Sequence, residues 1–171
     1  MLRIPYSCYP FGMERLLRDL PHILEGLSAI VVGTRDDALV PACVLGAGVH
    51  ADESGRVTIF VPEGTGGETF ENVARNGRVA VTLEQIPTHR TVQLKGRCLE
   101  MRPAVEAERP IVDRIQEAFL ADVEAIGAPV HARRRRRWPC RAITFEVAEI
   151  YEQTPGPHAG FPFGEGRAPA S

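Results

Sequence analysis

The stretch Thr88-His89-Arg90-Thr91-Val92-Gln93-Leu94-Lys95-Gly96 constrains the fold more than any other part of the chain. It alternates polar and apolar residues at period two and stops at a glycine. That pattern predicts a strand with Val92 and Leu94 on a packed face and Arg90 or Thr91, Gln93 and Lys95 on the opposite face. A strand of this kind needs a core on one side, while its other side is open to water, a partner chain or an anionic ligand. The 171 residues, 44% hydrophobic and 25% charged, are enough for one well-filled core and short for two.

Other segments repeat the strand signature. Ala29 to Thr34 is rich in β-branched residues, Arg35 to Ala38 turns the chain into Leu39 to Val49, and Asp52-Glu53-Ser54-Gly55 is a hairpin turn before Val57 to Val61. Arg78 to Glu84 is a further strand; the opening stretch continues through Cys98 and Leu99 to Met101, and Ala142 to Tyr151 is the last strand.

Three segments have helical spacing. Met13, Leu16, Leu17, Leu20, Ile23 and Leu24 predict an amphipathic helix within residues 10–25, ended by Gly26. Phe70, Val73 and Ala74 predict a short helix stopping at Asn76-Gly77. Ile111, Ile115, Ala118, Phe119, Val123 and Ile126 form an apolar stripe on a helix over residues 103–126. About six strands with helices interposed make a mainly β protein, an antiparallel barrel with peripheral helices, spanning residues 1–153. The proline- and glycine-containing tail 154–171 is expected on the surface or poorly ordered.

Charge and cysteine usage narrow the function. The formal net charge is −2, yet five arginines lie together at Arg133 to Arg137, so the rest of the chain is markedly acidic and does not suit a polyanion. The arginine run, although followed by Trp138, is read as a solvated loop, or one that closes over an anion or pairs with the acidic helix, rather than a nucleic-acid surface. Cys8, Cys43, Cys98 and Cys140 form no close pair, and the five histidines are scattered, so neither a disulfide frame nor a metal site is expected. With no signal-peptide-like N-terminus and no membrane-length apolar run, a cytoplasmic protein is expected.

The candidate ligand residues are few. Glu63 to Thr69 is a glycine-rich turn leading into a helix, where free backbone N–H groups suit an anion. No residue pair takes the part of a catalytic acid and base, and no Ser-His-Asp or Cys-His arrangement is recognisable. His50 and His89 read as ordinary strand residues and Lys95 as solvated.

Set in order, Val32-Gly33-Thr34, Val57 to Val61, the run Asn72 to Val81 and Arg90 to Gly96 resemble the FMN-binding split-barrel family, which includes pyridoxamine 5'-phosphate oxidase. The likeness covers roughly residues 27–101. It implies a six-stranded antiparallel split barrel that forms a homodimer, with FMN held between subunits and a small-molecule substrate oxidised or reduced there; a deazaflavin or haem is the alternative occupant. The resemblance places the cofactor phosphate around Thr65, Gly66, Gly67 and Thr69, with Arg90 and Thr91 on the neighbouring strand. Thr91 stands where the oxidases have glutamine. Gly67-Glu68-Thr69 stands in place of their Ser-Arg-Lys, and no lysine occurs between Leu39 and His50. The competing reading is a split barrel that has lost flavin chemistry and serves as a binding or regulatory module.

Overall fold

The structure, a computed structural model, describes residues 13–128 and 137–163. Seven strands form one antiparallel sheet: β1 Ala29–Arg35, β2 Pro41–Leu45, β3 Gly48–Ala51, β4 Arg56–Pro62, β5 Arg78–Gln85, β6 Arg90–Pro103 and β7 Cys140–Glu152. Their order across the sheet is β2-β1-β5-β6-β7-β4-β3. Helix α1 is Met13–Ile23, α2 is Gly67–Asn76 and α3 is Arg109–Ala125.

The sheet has seven strands rather than the six expected because Leu39 to Val49 is not one strand. It breaks at Gly46-Ala47 into β2 and β3, the two outermost strands, so the break carries the chain from one margin of the sheet to the other. The Gly46 amide donates to Ile30 O on β1 at 2.9 Å and the Ala47 amide to Phe60 O on β4 at 2.7 Å. A Cβ at Gly46 would lie 2.5 Å from Ile30 Cγ2, so only glycine lets the backbone cross so near β1. The sheet therefore curls on itself into a half-closed barrel whose two edges are β2 and β3.

Period-two patterning fills the interior. Val32, Ile59, Val81, Leu83, Val92, Leu94, Ile143 and Phe145 are buried in one cluster, joined by Leu17, Leu20 and Ile23 from α1 and by Leu24 just beyond it. A second, smaller cluster of Ala47, Phe60, Val112, Cys140 and Ala142 packs α3 on the outside of the barrel, with Trp138 against it.

The predicted helix over residues 103–126 starts later. Pro103 is the last residue of β6, a 3-10 turn occupies Glu106–Glu108, and α3 begins at Arg109. Its buried contact is Val112, while Ala118 and Ile126 of the expected stripe are exposed. Beyond β7 the chain doubles back: the Phe163 amide donates to Ile150 O at 2.8 Å, and residues 155–162 lie exposed on the surface.

Candidate functional site

Thr65, Gly66, Gly67 and Thr69 lie together where β4 turns into α2. The Thr65 and Gly66 amides both donate to Pro62 O, at 3.2 and 3.1 Å, so the turn itself consumes them. Gly66 is a packing residue: a Cβ there would sit 2.3 Å from the Phe70 ring and 2.8 Å from Val61. Thr69 is 2% exposed. The first amide of α2 with a helical partner is that of Phe70, bonded to Gly66 O at 2.9 Å, and no side chain caps the helix. The amides of Gly67, Glu68 and Thr69 are thus the donors that the first helical turn leaves over. Glu68, exposed on that turn, favours the helix dipole.

A cation not anticipated from the sequence stands beside this turn. Arg141, next to the first residue of β7, stacks its guanidinium 5.1 Å from the centre of the Phe70 ring. The Glu63 amide, bonded to Pro139 O at 3.0 Å, ties the turn to the start of the same strand. The nearby Cys140 thiol is pushed up to about 12 by burial, with Glu63 adding to the shift and Arg137 opposing it, and is therefore not a nucleophile at neutral pH.

Arg90 and Thr91 are engaged elsewhere. Arg90 donates to Ile23 O at 2.9 Å and Glu25 O at 3.3 Å, capping the carboxyl end of α1. The Thr91 hydroxyl donates to His89 O at 2.8 Å, and the Thr91 amide to the Thr154 hydroxyl at 3.0 Å. No hydrogen bond among the described residues joins these two to the Thr65–Thr69 turn. Arginines 133–136 lie outside the described residues. Arg137 donates to Gly46 O at 2.9 Å and stacks 5.3 Å from the Phe119 ring, tying the break between β2 and β3 to α3.

A groove of about 500 Å3 opens on the outer face of β1, β5, β6 and β7. Gly33, Ala80 and Gly96 supply little side-chain bulk there, and Arg35, Arg78, Lys95 and Arg97 supply charge. Lys95, read as solvated from sequence, is half-buried with its ammonium 4.4 Å from the centre of the Tyr151 ring. The clue lay in cross-strand register, which a single sequence does not display. Among the described residues, no group of three or more histidine, cysteine or acidic side chains could hold a metal ion, and no helix is long and apolar enough to cross a membrane.

No protein-family model matches the sequence, and no curated protein matches it. Solved structures do. HupZ of Group A Streptococcus is 15% identical, with a TM-score of 0.50, over 83% of this chain and 97% of that one. An FMN-binding protein from Syntrophomonas wolfei subsp. wolfei is 12% identical, with a TM-score of 0.50, over 81% of this chain and 86% of that one. At such identities the likeness is one of fold. The fold that the sequence resemblance implies is the fold the chain has: an antiparallel split barrel, with seven strands where six were expected.

Proposed function

We propose that the protein is a homodimeric flavin-binding oxidoreductase, with FMN or a related deazaflavin as its cofactor and a small molecule as its substrate. The observation that carries the reading is the amino end of α2: leftover amides at Gly67, Glu68 and Thr69, with the Arg141 guanidinium on the adjoining ring. Amides, the Thr65 hydroxyl and one guanidinium are a donor set that suits a phosphate monoester, because charge-assisted hydrogen bonds and the helix dipole both favour a dianion. This offsets the missing Ser-Arg-Lys sequence, since Arg141 brings from β7 a charge that the oxidases carry on the helix itself.

Thr65, Gly67 and Thr69 hold the phosphate in this reading, while Gly66 shapes the turn by admitting the Phe70 ring. Bound flavin supplies hydride and single-electron chemistry. The protein's part is to anchor, orient and shield it; no side chain is given a proton to move. Arg90 is assigned to α1 and is left out of the site.

Quenching of FMN fluorescence on titration with the protein tests the reading. Arg141→Ala should weaken FMN binding by roughly tenfold or more, the cost of a lost charged hydrogen bond. Riboflavin, which lacks the phosphate, should bind the wild-type and Arg141→Ala chains alike. An Arg141→Ala chain that binds FMN as tightly as wild type removes the phosphate from this turn. A wild-type chain that does not bind FMN leaves the barrel as a binding or regulatory module.

A further inference from the structure

Three arginines stand in a row across the end of the sheet. Arg78 on β5 lies directly opposite Arg97 on β6. The β1–β5 ladder pairs Gly33 with Ala80, and the same register carried two residues further brings Arg35 level with Arg78. One step along, Lys95 lies opposite Ala80. All four cations line the one groove, with Glu149 the single carboxylate among its lining residues.

Like charges directly opposite each other on a ladder are destabilising, so this row costs the isolated fold something. Among the described residues none of the four cations makes an ion pair with a carboxylate. Glu149 lies opposite Lys95 and accepts a hydrogen bond from the Tyr151 hydroxyl. Glu146 lies opposite Arg97 on one side and Arg56 on the other. Arg35 spends one N–H on Asp36 O at 2.9 Å, and Arg97 makes a long contact of 3.4 Å to Asn76 O.

The floor beneath them is kept low. Gly33 and Ala80 put almost no side-chain bulk on it, and at Gly96 the close approach to Glu146 O, 2.0 Å from where a Cβ would fall, leaves bare backbone. The backbone is thus open to a ligand that lies flat against the strands.

We propose that this groove is a second ligand site, separate from the α2 turn, and that it takes a small molecule carrying a diphosphate. Adjacent strands are about 4.8 Å apart, so three arginines on neighbouring strands span roughly 10 Å. A single phosphate reaches two neighbouring guanidinium groups through hydrogen bonds of about 2.9 Å, whereas two linked phosphates reach all three. Lys95 adds a point charge at the edge, where a third anionic or polar group of the ligand would lie.

Calorimetric titration of the full chain with inorganic pyrophosphate and with orthophosphate, at low ionic strength, tests the site. Pyrophosphate should bind at least tenfold more tightly than orthophosphate, and Arg78→Gln and Arg97→Gln should each weaken it about tenfold, whereas Arg75→Gln on the exposed face of α2 should not. Without ligand, Arg97→Gln should melt no lower than wild type, because the substitution relieves a like-charge pair; a purely structural arginine would lower the melting temperature. FMN affinity at saturating pyrophosphate should be unchanged, so failure of the flavin reading and failure of this one are separate results. Equal binding of the two anions, or pyrophosphate binding that survives both substitutions, overturns the proposal.

Discussion

Arg90 shows how far a residue's role depends on what lies beyond its own strand. Its place on an alternating strand marked it as a ligand candidate, but the partner it meets is the end of a helix more than sixty residues earlier in the chain, through the carbonyls of Ile23 and Glu25. Replacing it by alanine should cost about 1 kcal/mol of stability, by uncapping α1, and leave FMN affinity unchanged. Thermal melts and the flavin titration read the two effects separately. Glu108 is a second residue whose role is set by structure. Arg102 grips its carboxylate with two hydrogen bonds of 2.7 and 2.8 Å, and the Val105 amide adds a third at 2.9 Å. The Arg102 hydrogen bonds hold the Glu108 carboxyl below the usual carboxylate range, against the opposing effect of burial. A depressed carboxyl contributes stability above its unfolded value and loses it as pH falls through the folded one. Glu108→Gln should therefore lower stability by about 1 kcal/mol near neutral pH, a modest sum because Arg102 is partly open to water, and wild type and variant should converge in acid below the folded value. A gap between the two that persists at all acid pH values rules out this ion pair as the cause.

At the scale of elements, periodicity located the strands and capping residues ended the helices. Asn76-Gly77 is the clearest case: Gly77 takes the left-handed conformation at φ 69° and its amide closes on Val73 O at 2.9 Å. What the pattern could not show was continuity. Leu39 to Val49 reads as one apolar run, yet it breaks where Gly46 passes too close to Ile30 for any side chain, a contact made by another strand. Pro103 looked like a helix start because proline suits a first helical turn, but it equally suits the end of a strand whose ladder it need not continue. Gly96, by contrast, does more than end the alternating run: β6 continues past it, and a bulge between Lys95 and Gly96 brings Glu146 O into the place of a side chain. Gly96→Ala should cost about 3 kcal/mol, because the clash is with backbone and no side chain can move aside. Chemical denaturation measures it, and a loss below about 1 kcal/mol contradicts the tight approach of β6 to β7.

For the whole molecule, the antiparallel barrel was legible because its strands bury one face each, and that alternation survives in a single sequence. The candidate site was less so. The Thr65–Thr69 turn was visible as glycine chemistry, but Arg141, Arg35, Arg78 and Arg97 gain meaning only when register and curvature set them beside partners far along the chain. The central claim is that this split barrel pairs with a second copy and holds flavin. Native mass spectrometry of the protein equilibrated with FMN tests it most directly: the account predicts a dimer carrying two FMN molecules, and a species that remains monomeric, or dimeric without added flavin mass, contradicts it.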